Sequence, residues 1–447
     1  MKTEKFKVTP LERAWILYDV GNSAFVLMIA TLVPIFFNAL AEAGGVSKVD
    51  YLAYWGYASS IVTVVTAILG PILGTLADTK GFKKPIFMLC LFVGVIGCCA
   101  MGMAGTWLAF LVIFIIAKIG YSGSLVFYDS MLGDVTTPER MDMVSSRGYA
   151  WGYIGSCVPF VVCLALVLGS SAVGLSQMTA LSIALVITAV WWLVFSLPLL
   201  KNCQQTTGKP YEKGDVGRSI KNVFTTMKEI AADKPMLVYI VAYFFYIDGV
   251  HTIISMSTSY GTNLGLDSAG MLLALLLVQV LGLPFCLLYM KLAAKFGARV
   301  MVGVGIGVYS FICIFAFFMN SLWQFWVLAV LCATSQGGIQ ALSRSMFGKL
   351  IPDKDRSGEF FGFFDIFGKF SSILGPTLVG GVSALASARM LAAQGLTAAT
   401  ATAEQVDAIN RAAGPYGILS VILIILAGAA LYFFVLPKTL QGDSRKI

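Results

Sequence analysis

Twelve apolar stretches, each long enough to cross a bilayer, dominate this sequence and leave it few folds to adopt. They run over 15–37, 52–77, 85–104, 107–128, 148–170, 179–199, 236–261, 268–290, 299–319, 322–343, 359–385 and 415–436. A helix needs about 20 apolar residues to cross the hydrocarbon layer, and in lipid its backbone groups must be satisfied within the segment. With 58% apolar and 12% charged residues in 447 positions, the chain carries more apolar surface than one water-soluble core could enclose. The expected class is an all-α membrane protein of twelve transmembrane helices. The first stretch is too long, and too polar at Asp19 and Asn22, for a cleaved signal peptide.

The basic residues orient these spans. With the N-terminus inside, 26 of the 31 Lys and Arg fall in cytoplasmic segments and three in external ones; Lys118 and Lys369 lie within spans. That asymmetry predicts N-in and C-in. It also accounts for the net charge of +8, which therefore gives no support to nucleic-acid binding. Eight of the nine cysteines lie in apolar spans and none forms a C-x-x-C pair, so they read as small buried hydrophobes. Trp15 is expected at the membrane interface. Ile220, Val223, Phe224, Met227, Ile230 and Ala231 recur at helical spacing beside Arg218, Lys221 and Lys228, which predicts an amphipathic helix on the inner membrane surface. Thr402-Ala403-Glu404-Gln405 reads as a capping box and Gly414-Pro415 as a stop, predicting a small separate helix before the last span.

Between the second and third spans stands Gly74–Lys84, G-T-L-A-D-T-K-G-F-K-K. A tight hairpin at a membrane surface needs glycines, a carboxylate able to cap a neighbouring helix, and lysines that stay inside. A degraded copy stands at Leu292–Arg299, where Gly297 and Arg299 match Gly81 and Lys83 while Ala294 replaces Asp78. A second echo pairs Ser345-Met346-Phe347-Gly348 with Ser130-Met131-Leu132-Gly133. Loops repeated about 216 residues apart imply two parallel halves. We expect a six-helix bundle over 1–200, a cytoplasmic linker over 201–235 and a second bundle over 236–447.

The G-x-x-x-D-x-x-G-x-K-K loop resembles the one between helices 2 and 3 of the major facilitator superfamily. Tyr18-Asp19, Asn22-Ser23-Ala24-Phe25, Phe127-Tyr128, Arg147-Gly148, Asp248-Gly249, Gln340-Ala341-Leu342-Ser343-Arg344, Gly362 and Gly368-Lys369 narrow the likeness. They resemble the branch that contains fungal vacuolar amino-acid effluxers linked to autophagy and a bacterial group. Gly21 and Asp129 depart from that pattern, standing where alanine and a neutral amide are usual. The resemblance implies two pseudo-symmetric six-helix bundles, with helices 1, 4, 7 and 10 lining a central cavity and 3, 6, 9 and 12 outside. It favours amino acids as solutes. The compact chain favours a bacterial inner membrane, with a vacuolar membrane as the alternative.

Intramembrane charges are costly, about 2.5–3.5 kcal/mol each on insertion scales, and so mark sites. Here Asp19, Lys118, Asp248, His251, Asp365 and Lys369 sit on spans 1, 4, 7 and 11, whereas spans 3, 6, 9 and 12 carry none beyond Arg299 at the cytoplasmic edge of span 9. With Asn22, Gln279 and Gln340 they form the candidate solute and proton cavity. Bland readings stand beside this one. Asp365 and Lys369 are spaced for an intrahelical ion pair, Asp19 for a local backbone bond, and His251 for a buried hydrogen bonder. Lys118 and Asp248 could pair structurally across the halves. Gly74, Asp78, Gly81, Lys83 and Arg344 are the candidate gate, with Asp78 expected at the N-terminus of span 11 when the cytoplasmic side closes.

No metal-ligand cluster, nucleotide loop or nucleophile elbow stands in the sequence, and no cofactor or enzymatic activity is expected. The expected function is secondary transport of a small polar or zwitterionic solute by alternating access, coupled to protons, in a monomer embedded in lipid. Asp248 is the leading proton carrier, because a mid-membrane carboxylate loses hydration when its cavity closes. His251 and Asp365 come next. The alternative is a non-transporting membrane sensor or scaffold of the same fold.

Overall fold

A computed structural model describes residues 7–46, 48–210, 215–397 and 400–440, with backbone alone at 48–53, 215–223, 268–269, 272, 371–372, 403 and 407. Among the described residues all regular structure is helical, apart from one isolated parallel bridge between Thr79 and Lys209. Twelve helices are long and apolar enough to cross a membrane. Spans 1 to 6 are Pro10–Ala43, Tyr54–Ala77, Lys83–Met101, Trp107–Ser130, Met141–Leu168 and Gln177–Asn202. Spans 7 to 12 are Lys234–Asn263, Leu273–Phe296, Ala298–Phe317, Leu322–Leu350, Lys354–Ala393 and Glu404–Thr439. Thr9, Thr106, Ser176, Asp233, Asp267 and Thr402 each cap a helix start, taking the backbone N–H three residues on. Each cap is worth about 0.5–2 kcal/mol.

The chain divides into two compact units, Met1–Glu229 with Ile351–Ile366, and Ile230–Leu350 with Phe367–Ile447. In the first, span 1 packs on spans 5 and 6, span 3 on spans 4 and 6, and span 2 on span 4. In the second, span 7 packs on span 12, span 9 on spans 10 and 12, and span 8 on span 10. Pairings 1·6, 2·4, 3·4 and 3·6 thus recur six spans later, the helical form of the internal repeat. Gly81 and Gly297, the matched glycines, have φ of 85° and 91°, where a side chain would be strained. The outward stripes are apolar at helical spacing, as at Ile61, Val64 and Ile68 or Leu89, Phe92 and Ile96, a surface suited to lipid.

Two expectations change. Trp15 is not at an interface: it is fully buried, stacked on Tyr128 at 4.3 Å, and its indole N–H donates to the Tyr128 carbonyl at 2.9 Å. Gly414-Pro415 does not stop a helix, for one helix runs Ala403–Ala430 from the expected Thr402–Gln405 capping box straight through it. Gly414 serves close packing instead, since a Cβ there would lie 2.4 Å from Asn263 Nδ2. The linker does carry a helix, Asp215–Ala232, with Phe224 and Met227 exposed but Thr226 and Ile230 buried. The side chains of Arg218, Ile220, Lys221 and Val223 lie outside those described.

Candidate functional site

The first cluster forms where Gly70 and Gly74 of span 2 meet Gly358 and Gly362 of span 11, all within the first unit. Both pairs are G-x-x-x-G, so each helix presents a bare strip to the other. A Cβ at Gly74 would sit 2.3 Å from the Gly358 carbonyl oxygen, and one at Gly362 would sit 2.7 Å from that of Gly70. Gly74→Ala is therefore expected to cost about 1–3 kcal/mol by forcing the helices apart. A thermal unfolding midpoint equal to that of the parent chain would refute this.

One turn beyond the glycine strip, Asp78 meets the start of span 11. Its Oδ1 accepts the Gly358 N–H at 2.7 Å and its Oδ2 the Glu359 N–H at 2.8 Å. A carboxyl across the first N–H groups of a helix satisfies orphan donors and complements the helix dipole. Burial pushes the Asp78 carboxyl up to about 8, against the pull of Lys83 and of the two amides. Lys83 lies fully buried, with its Nζ 2.7 Å from Asp134 Oδ2. Asp134 Oδ1 accepts the N–H and hydroxyl of both Thr206 and Thr207, at 2.7–3.1 Å. Burial acts to raise the Asp134 carboxyl, but Lys83 and the two threonines hold it below the usual range.

Elsewhere in the first unit, Asn22 Nδ2 donates to the Tyr18 carbonyl at 3.0 Å and to Asp19 Oδ1 at 3.4 Å. Lys118 Nζ stands 4.6 Å from the centre of the Tyr121 ring. Asp365, half-buried, belongs to this unit, whereas Lys369 belongs to the second.

The second unit holds Asp248 on span 7. It is wholly buried, and neither carboxyl oxygen reaches a donor in full hydrogen-bond geometry, though the Gly375 backbone N–H approaches it. Thr252, one turn on and equally buried, also leaves its Oγ1 unbonded. Other buried helical hydroxyls, at Thr66, Thr188 and Ser196, donate to the carbonyl four residues back. Thr252 instead turns towards Gly375. A Cβ at Gly375 would lie 1.8 Å from Thr252 Oγ1 and 3.0 Å from Asp248 Oδ2, so both oxygens converge on one bare point. His251 bonds the Gln340 side chain and the Gly368 backbone. Gln340 also donates to the Gln336 carbonyl at 3.1 Å. Gln279 is half-buried with Oε1 unbonded, and Arg344 is buried at the end of span 10.

The expected gate residues Gly74, Asp78 and Lys83 thus come together, and Asp78 reaches the start of span 11. Sequence reasoning missed Asp134, the partner of Lys83, and Thr206 and Thr207, which bond Asp134. Asp134 directly follows the repeated Ser130-Met131-Leu132-Gly133, but an acid in a charged loop carries no mark of its partner.

The sequence profile of the family described as "Vacuole effluxer Atg22 like" matches residues 11–139 and 133–387. The chain belongs to this Atg22-like family. The transporter is 44% identical to the uncharacterised MFS-type transporter YxiO of Bacillus subtilis, over 83% of its own length and 88% of that protein's. It is 28% identical to autophagy-related protein 22 of Yarrowia lipolytica, over 53% of its length and 45% of that protein's, so it spans about half of this fungal relative. Among solved structures it is similar to the major facilitator transporter FucP, with a TM-score of 0.68 and 12% identity over 96% of the chain and 98% of FucP. It is also similar to the human organic anion transporter MFSD10, with a TM-score of 0.66 and 14% identity over 94% and 98% of the two chains. These likenesses show the major facilitator fold. The protein is a multi-pass membrane transporter and not an enzyme.

Proposed function

We propose that this transporter moves a small polar or zwitterionic solute, amino acids foremost, by alternating access coupled to protons. Asp248 is the proton carrier. The observation that carries this reading is the buried Asp248 carboxyl, with neither oxygen in full hydrogen-bond geometry, facing the same bare point as Thr252 Oγ1. An ionised carboxylate with no well-placed donor inside a membrane is expensive, while a proton removes the charge at once. A divalent metal is a poorer occupant, because Ca²⁺ and Mg²⁺ take six or more oxygens and only two side-chain oxygens, Thr252 Oγ1 and Asp248 Oδ2, face this point. Asp19, Asn22, Lys118, Gln279, Gln340 and Lys369 supply the polar groups for the solute's ammonium and carboxylate ends, with His251 or Asp365 second in line as proton carrier.

Gly74, Asp78, Gly81, Lys83 and Arg344 form the inner gate, on the side where the basic connections place the cytoplasm. The division into two bundles joined by the 201–235 linker fits the rocking of one half against the other. A bacterial inner membrane is the favoured location.

A screen of amino acids for thermal stabilisation of the purified protein identifies a solute for proteoliposome assays. An inward proton gradient is expected to drive its movement against its own gradient. Asp248→Asn is expected to abolish that drive while sparing counterflow. Gradient-driven movement surviving in Asp248→Asn would assign the proton to another residue. Movement that ignores the proton gradient in the parent protein would end the coupling claim.

A further inference from the structure

The connection between spans 6 and 7 is bound at both of its ends to the segments that surround Asp78. On one side, Lys209 N–H donates to the Asp78 carbonyl at 2.7 Å and Lys80 N–H donates to the Lys209 carbonyl at 2.8 Å, forming the isolated bridge. Gln205 Nε2 donates to the Ala77 and Thr79 carbonyls, while its Oε1 accepts the Gly81 N–H at 3.0 Å. Thr206 and Thr207 take Asp134, which holds Lys83. Gly208 N–H then donates to Asp355 Oδ1 at 2.8 Å, just before span 11. A Cβ at Gly208, whose φ is 125°, would lie 2.6 Å from the Asp78 carbonyl oxygen.

On the other side, Thr226 and Glu229 of the linker helix bond Arg356, and Thr226 also bonds Glu359. Arg356 in turn pairs with Glu359 at 3.1 Å. Glu359 is the residue whose N–H Asp78 accepts. Thr226 and Glu359 are buried, so the bond between them is shielded from water, whereas Glu229 is exposed.

A passive tether needs none of this. A flexible connection of such length would join two bundles with no side chain committed to either end. Here a backbone bridge, one glutamine, one threonine and one glutamate are spent on the loop after span 2 and on the start of span 11. Two further threonines are spent on Asp134, the partner of Lys83. We propose that the linker is a strap of the inner gate. Residues 205–209 and 226–229 position the Asp78 carboxyl against the start of span 11, and they must release for the cytoplasmic side to open. Thr206, Thr207 and Thr226 act through Asp134, Arg356 and Glu359, and so are positioning residues that need not touch solute.

This inference rests on the gate reading of Asp78, and its test separates the two. Ser357, the first residue of the span 11 helix, is buried and its hydroxyl bonds the Ser130 carbonyl at 3.4 Å. Ser357→Cys in inside-out vesicles reports opening by its rate of reaction with a membrane-impermeant maleimide, above the background of the parent chain. Asp78→Asn is the reference for an open gate. Thr206→Val with Thr207→Val is expected to raise the rate by about tenfold, towards that reference. Thr226→Val, at the opposite end of the strap, is expected to do the same and serves if the valine pair fails to fold. Thr206→Ser with Thr207→Ser keeps both hydroxyls and is expected to stay at the parent rate. If Asp78→Asn raises the rate while the valine variants stay at the parent rate, the strap is wrong and the gate stands. If Asp78→Asn leaves the rate unchanged, gate and strap fall together.

Discussion

Replacing Lys83 with methionine is expected to destabilise the purified transporter by about 3–5 kcal/mol, the cost of leaving one buried charge without its partner. Lys83 and Asp134 have side chains 1% and 0% exposed, so water cannot compensate for a missing ammonium. Lys83→Met leaves Asp134 with its threonine donors but no counter-charge. Lys83→Met combined with Asp134→Asn is expected to recover a substantial part of the loss. The amide oxygen of Asp134→Asn can still accept from Thr206 and Thr207, and no charge remains buried. Additive defects in the double variant would refute the pairing. The pH dependence follows from the depressed Asp134 carboxyl. Its stabilisation is present above the unfolded-state value of about 4 and is lost as the pH falls through the lower folded-state value. The gap between the parent chain and Lys83→Met should be widest at neutral pH and above, and should narrow as the pH falls and the unpaired Asp134 takes up a proton.

Asp78→Asn is expected to shift the transporter towards its inward-open state by about tenfold, since leaving a buried backbone donor without an acceptor costs about 1–3 kcal/mol. Both Asp78 oxygens accept backbone N–H groups at the start of span 11. An amide has one acceptor oxygen, so one of the two donors would face an NH₂ group instead. The helix start would also lose the carboxyl that complements its dipole. Cytoplasmic cysteine accessibility is the direct measure, and an unchanged profile would remove Asp78 from the gate. The fold should survive this change, because the Gly70 and Gly74 contacts with Gly362 and Gly358 do not involve the carboxyl.

Much of this was legible beforehand, for reasons that differ from feature to feature. Gly81 and Gly297 were matched as a repeat, and both turn at positive φ because the same tight loop is made twice. The Thr402 cap was readable because its partner Gln405 is three residues away. Asp78 was expected near span 11 only through the family likeness, for its partners lie 280 and 281 residues further on. Trp15 misled because an aromatic beside a basic tail looks the same whether its indole faces lipid headgroups or the Tyr128 carbonyl. Gly414-Pro415 misled because a stop signal and a close-packing site use the same residue pair.

By itself the sequence determined the twelve spans, the doubling of the chain and the spans that carry ionisable groups. Each of these depends on hydrophobicity, periodicity or residue type within one segment, and a helix in lipid satisfies its backbone without outside help. Only the tertiary structure decided that Lys83 belongs to Asp134, that the linker grips the loop beside Asp78, and that Thr252 turns from its own helix towards Gly375. Those choices depend on which helix faces meet. A carboxylate or hydroxyl needs a partner, but its side chain does not say which of several distant segments will bring one.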